Sequence, residues 1–186
     1  MNKNNIFLVY GPSGSGKTLI VEEALKQINW LEKIKTCTTR KIRLGESENA
    51  YNFISEEMFE ELKANNQFLE TTNYDGCNYG TLISEIKETP LQKDIIMIVD
   101  INGVLKIKEI FSDKFNIFSI FIEPENIIER LKKRASLTGE DVSDRILKVS
   151  EEMQNKKLAD IVLRNEEDKL DLCVKNFIKN ISILRK

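Results

Sequence analysis

The sequence predicts an α/β fold of three layers, a parallel β-sheet between helices. Two patterns carry this expectation. Four apolar runs of strand length, at residues 6–10, 95–99, 117–122 and 161–163, are continuous rather than alternating, as in strands buried on both faces. A segment with helical character follows each of them, so strands and helices alternate along the chain.

The first run ends at a glycine-rich turn, after which Leu19, Ile20, Ala24, Leu25 and Ile28 recur at helical spacing. Later helices are expected to begin near Gly103, near Pro124, whose fixed φ suits a first helical turn, and near Glu166, whose acid complements the helix dipole. In the last of these, Leu170, Val174, Phe177, Ile178 and Ile181 share one face that can pack on the sheet. Residues 40–89 break the rhythm. Short strands at 51–54 and 67–74 surround a helix capped by Ser55, and Asp75-Gly76 marks a hairpin turn. This stretch reads as a small inserted α+β subdomain within a core of residues 1–39, 90–129 and 146–186. A polar stretch flanked by arginines reads as part of a short lid, 130–145.

Composition narrows the function. The chain has 186 residues, 41% of them hydrophobic, enough for one domain with its own core. A net charge of -2 argues against general nucleic-acid binding, which calls for a surplus of Lys and Arg. The polar residues 1–5 run straight into a short apolar segment, so neither a leader nor a membrane span is expected, and a cytoplasmic location is. Three scattered cysteines and no histidine argue against a structural zinc site and a Ser-His or Cys-His nucleophile.

The strongest chemical signal is GPSGSGKT, residues 11–18, placed between the first strand and the first helix. Gly11, Gly14 and Gly16 allow successive amides to converge on phosphate oxygens at the positive end of the helix. Lys17 is expected on the β- and γ-phosphates of ATP, and Thr18 on Mg²⁺. Ser13, Ser15 and Leu19 complete the stretch expected to touch ATP. Asp100, at the carboxyl end of the run 95–99, stands where an acid can hold Mg²⁺ or its water.

Further segments follow the loop in order: TCTTRKIRLGE at 36–46, YNF at 51–53, FLE at 68–70, NYGT at 78–81, VDING at 99–103, RLKKR at 130–134, Arg145-Ile146 and DIVLRN at 160–165. This ordered series resembles the guanylate kinase family almost end to end. The resemblance implies a three-layer P-loop kinase fold, with ATP as phosphoryl donor, Mg²⁺ as cofactor and GMP or dGMP as acceptor. It implies no nucleic-acid or membrane partner, and a monomer or homodimer. Arg40, Arg43, Tyr51 and Tyr79 fall on positions that hold the acceptor phosphate, and forked guanidinium donors suit a phosphate dianion. Glu70, Thr81 and Thr36 fall on guanine-reading positions, and Asp100 also borders the acceptor. The resemblance places Arg130 on ATP, makes Arg134 and Arg145 catalytic with Lys17 and Arg40, and puts Asn165 near adenine. Ile42 stands where the family has proline, Ala50 where it has an acid, and Asn102 follows Asp100 in a shortened turn. A kinase acting on ribose 1,5-bisphosphate and a non-catalytic binding module of the same fold are the alternatives; the intact Lys17-Thr18 pair weighs against the second.

Overall fold

The computed structural model describes residues 3–43, 46–87, 93–138 and 143–185. In chain order the first half comprises β1 (Asn5–Tyr10), α1 (Lys17–Leu25), β2 (Leu31–Lys33), β3 (Thr36–Thr38), β4 (Asn52–Phe53), α2 (Glu56–Ala64), β5 (Phe68–Tyr74), β6 (Cys77–Leu82) and α3 (Ile83–Lys87). The second half comprises β7 (Asp94–Ile98), α4 (Ile101–Phe111), β8 (Asn116–Pro124), α5 (Ile127–Thr138), α6 (Ser143–Gln154), a 3₁₀ turn (Asn155–Leu158), β9 (Ile161–Asn165) and α7 (Leu170–Leu184).

Five parallel strands lie in the order β2-β7-β1-β8-β9, with β1 at the centre. Successive side chains of β1 point to opposite faces, and both faces are covered. Phe7 and Val9 join Val21 and Ala24 of α1 and Val174, Phe177 and Ile181 of α7. Ile6, Leu8 and Tyr10 join Val104 and Ile107 of α4. The expected layers are therefore helix, sheet and helix. The chain order reverses beside β1, and in open parallel sheets such a crevice at the carboxyl ends of the strands is where ligands bind.

A second sheet, β4-β3-β6-β5, is built mainly from antiparallel pairs. Ser55 caps α2 by accepting from the Met58 amide at 3.2 Å, and Asp75 and Gly76 both take positive φ at the β5–β6 turn.

Several boundaries differ from the sequence expectation. β3 belongs to the second sheet, so the insertion starts near residue 36 rather than 40. Pro124 closes β8 instead of opening a helix; Asn126, at φ 52°, turns the chain before α5 begins at Ile127. Glu166 likewise lies in a turn, where Asp168 takes φ 58°, and α7 starts at Leu170 with Asp171 as its first-turn acid. The expected lid falls on α5 from residue 130 onward, the first turn of α6 and residues 139–142, which lie outside the described residues.

Candidate active site

The segment expected to bind the donor is the loop between β1 and α1. α1 starts at Lys17 with no side-chain cap hydrogen bond, and its first amides lie beside the loop at the positive end of the helix. Two glycines are sterically required. Gly11 has φ 140°, and a Cβ there would sit 2.6 Å from the Ile122 carbonyl oxygen. Gly16 has φ 90°, and a Cβ would collide with Nδ2 of Asn165. Lys17 Nζ folds across the loop, donating to the carbonyls of Gly11 at 2.8 Å and Pro12 at 2.9 Å. Ser15 is fully buried, Ser13, Gly14 and Thr18 are half-buried, and Leu19 is exposed.

Asn165 ends β9 beneath this loop. Its Nδ2 donates to the Ser15 carbonyl at 2.8 Å, and its own carbonyl accepts from Arg130 Nη2 at 2.7 Å. The family resemblance suggests a place near adenine, whereas this amide nitrogen is engaged by the loop backbone. Sequence reasoning missed that scaffold role, because the bond joins residues 150 apart.

The residues that the resemblance assigns to the acceptor lie largely on one face of the second sheet. Thr36 pairs with Thr81, and Thr81 pairs with Glu70, so the three expected base-reading residues lie on one rung across β3, β6 and β5. A β-bulge between Phe68 and Glu70 makes this possible. Strict alternation would put Phe68 and Glu70 on the same face; the extra residue leaves Phe68 stacked on Phe59 of α2, ring centroids 4.5 Å apart. Thr81 Oγ1 donates to Glu70 Oε1 at 2.7 Å. Burial pushes the Glu70 carboxyl above its usual range, and the nearby Asp100 carboxylate adds to this against the Thr81 hydrogen bond. Asp100 caps α4, its Oδ1 accepting from the Gly103 amide at 2.7 Å. Asn102 and Glu70 line a cavity of about 400 Å³ between β5 and α4.

One step along the same face, Tyr79 packs edge-on to Tyr51 with ring centroids 6.1 Å apart, and the Arg40 guanidinium lies 5.3 Å from the Tyr51 ring centre. Arg40 forks onto Glu46 through Nη1 at 3.0 Å and Nη2 at 2.8 Å, and Glu46 Oε2 also accepts the Arg43 amide at 3.0 Å. Burial opposes both charges of the pair. The hydrogen bonds win, holding the Glu46 carboxyl below its usual range and the Arg40 guanidinium above its own. Arg40 Nε is shielded from solvent with no hydrogen-bond partner among the described residues. The structure thus brings Arg40, Arg43, Tyr51 and Tyr79 together in one cluster, with Glu46 as an organiser to which sequence reasoning assigned no role. Its spacing, three residues after one arginine and six after another, was the available signal.

The sequence model of the family described as guanylate kinase matches residues 3–182. The chain belongs to the guanylate kinase family. A protein of that name from Mycoplasmopsis pulmonis is 36% identical over 174 residues, covering 89% of this chain and 88% of the relative. Another from Prochlorococcus marinus subsp. pastoris is 30% identical over 183 residues, covering 97% and 98%. The crystal structure of guanylate kinase from Anaplasma phagocytophilum superposes with a TM-score of 0.75 at 21% identity, covering all of this chain and 88% of that one, a likeness of fold.

Of the arginines that the guanylate kinase resemblance sets over the phosphates, Arg130 lies in α5 beside Asn165. Arg134 is also in α5 and Arg145 is in α6; their side chains lie outside the described residues. Of the departures from the family pattern, Ile42 is exposed and Ala50 is buried.

Proposed function

We infer that the chain is an ATP-dependent guanylate kinase, transferring the γ-phosphoryl group of ATP directly to the phosphate of GMP or dGMP. The observation that carries this reading is the rung Thr36–Thr81–Glu70 on the same sheet face as the Arg40–Tyr51–Tyr79 pocket: base reader and phosphate clamp lie side by side.

Each part has a chemical role. The loop amides and Lys17 hold the β- and γ-phosphates. Arg40, Arg43, Tyr51 and Tyr79 hold the acceptor phosphate, with its oxygens competing against Glu46 for Arg40. Glu70, held by Thr81, accepts the N1 and N2 hydrogens of guanine, which adenine lacks. Thr36 adds a third polar contact on the rung. No general base is needed: the second pKa of a phosphate monoester is about 6, so the attacking oxygen is already deprotonated at neutral pH. A chain without histidine is therefore fully equipped for this chemistry. Arg130, Arg134 and Arg145, with the lid, stabilise the charge of the transferring group and exclude water, which would otherwise compete as acceptor.

Mg²⁺ takes most of its ligands from phosphates and water and needs few from the protein. Thr18, with the Asp100 carboxylate, would hold the ion, which neutralises phosphate charge when bound. The enzyme works in the cytoplasm on small nucleotides.

A coupled assay for ADP release, run in parallel with GMP, dGMP, AMP, CMP, UMP and ribose 1,5-bisphosphate, tests the reading. GMP and dGMP are the efficient acceptors. Equal turnover of AMP, or preference for the sugar phosphate, refutes the acceptor assignment.

A further inference from the structure

The loop that leads into Tyr51 is held from outside its own sheet. Residues 47–50 form a turn, in which the Ala50 amide donates to the Ser47 carbonyl at 3.0 Å and the Asn49 amide to Ser47 Oγ at 3.2 Å. Ala50, at the end of this turn, is buried. Its carbonyl accepts from Lys33 Nζ at 3.2 Å. Lys33 is the last residue of β2, the edge strand of the parallel sheet, so this bond crosses from the central layer to the loop. Lys35 adds a second hold on the same turn, its Nζ donating to Asn49 Oδ1 at 3.3 Å.

Lys33 is not a freely swinging surface charge. Its side chain is only 13% exposed, and its Nζ lies 3.7 Å from Oε1 of Glu22 in α1. Burial pulls its pKa down, the Lys35 charge adds to this, and the Glu22 and Glu46 carboxylates oppose both; the net shift is downward. A partly dehydrated ammonium makes a strong hydrogen bond to a fixed oxygen. The oxygen it holds is also well placed to fix Tyr51. The Ala50 carbonyl and the Tyr51 nitrogen and Cα share one rigid peptide plane. On the other side of Tyr51, Asn52 pairs with Cys37 of β3. Tyr51 is therefore tied down before and after its own Cα, with its ring against Tyr79 and the Arg40 guanidinium.

We propose that Lys33 is a positioning residue for the acceptor: by holding the Ala50 carbonyl to the edge of the parallel sheet, it fixes where Tyr51 presents its hydroxyl to the acceptor phosphate. This deepens the guanylate kinase reading above and rests on it. Lys33 acts through the peptide between Ala50 and Tyr51, and not on the phosphate itself.

The test measures kcat, KM for GMP and for ATP, the inhibition constant of guanosine against GMP, and the melting temperature. It compares wild type with Lys33→Met, Lys33→Arg, Tyr51→Phe and the Lys33→Met/Tyr51→Phe double variant. Lys33→Met keeps the apolar stem without a donor, and lowers kcat/KM for GMP by roughly 10-fold or more. KM for ATP stays within about twofold of wild type. Guanosine carries no phosphate, so its inhibition constant also stays within about twofold, and the preference for GMP over guanosine falls. A lysine that merely stabilised the fold would lower the melting temperature and leave that preference alone. Lys33→Arg keeps a charged donor and remains within about threefold of wild type. The double variant is less efficient than Tyr51→Phe by no more than about twofold, since Lys33 acts through Tyr51. Should Lys33→Met not fold, Lys33→Gln, whose donor falls one bond short of the Ala50 carbonyl, takes its place in each comparison. A kcat/KM for GMP within about twofold of wild type overturns the proposal. So do GMP and guanosine weakened in equal proportion, a loss in Lys33→Arg as large as in Lys33→Met, or fully multiplicative losses in the double variant. A wild type that phosphorylates no guanine nucleotide fails one level earlier: it defeats the transfer reading, and the proposal with it.

Discussion

Replacing Glu70 with glutamine changes one oxygen to an amide and leaves the side-chain volume almost unaltered. The carboxylate can accept two hydrogen bonds from guanine, and Thr81 holds Oε1 at 2.7 Å. Glutamine keeps one acceptor oxygen and turns an N–H₂ group toward a guanine donor, so one bond is lost and one buried donor is left unpaired. Such a loss costs about 2–3 kcal/mol, which at about 1.4 kcal/mol per tenfold lowers kcat/KM for GMP roughly 30- to 150-fold. Stability should move the other way. Burial raises the Glu70 pKa in the fold, so at neutral pH its charge disfavours folding, and the neutral amide leaves the melting temperature unchanged or higher. Steady-state kinetics with GMP and AMP, beside thermal melts, read both effects. A Glu70→Gln variant with wild-type kcat/KM for GMP, or with GMP and AMP weakened equally, refutes the base-reading role. A melting temperature lowered by several degrees would instead make Glu70 a scaffold residue.

Three other outcomes follow from the same geometry. Asn165→Ala removes the bond to the Ser15 carbonyl and should cost about 1–2 kcal/mol of donor-loop order, seen as a roughly 5- to 30-fold fall in kcat/KM for ATP with GMP binding by calorimetry unaltered. Glu46 has its pKa depressed in the fold, so its pair with Arg40 contributes stability above the unfolded-state pKa and loses it as pH falls through the folded-state pKa. Melting curves of wild type and Glu46→Gln should accordingly converge in acid and separate above the usual carboxylate range. Phe177→Ala empties a fully buried site in the α1–α7 core and should cost about 3–5 kcal/mol by urea denaturation, with kcat per folded molecule retained.

The central layer was legible because burial on both faces writes itself into composition: residues 6–10 are apolar without interruption, and the glycine-rich segment after them can only turn. Helix starts were less legible at Pro124 and Glu166. There, Asn126 and Asp168 adopt left-handed backbone conformations that patterning does not announce. β3 is three residues long, and nothing in Thr36-Cys37-Thr38 says which sheet will pair with it. The bulge before Glu70 was invisible for a related reason. Alternation assigns Phe68 and Glu70 to one face, and only the pairing partner, Leu82 against Thr81, shows the shift. The motif residues could be named singly, but their contacts could not: Asn165 under Ser15 joins segments far apart in the chain.

The most direct test follows the phosphoryl group. With ATP labelled at the γ-phosphate and GMP in excess, the label should appear as the β-phosphate of GDP, one per ADP formed, and Lys17→Ala should abolish its transfer. Label released as inorganic phosphate, or GDP formed as readily by Lys17→Ala as by wild type, would contradict direct transfer from a donor held by this loop.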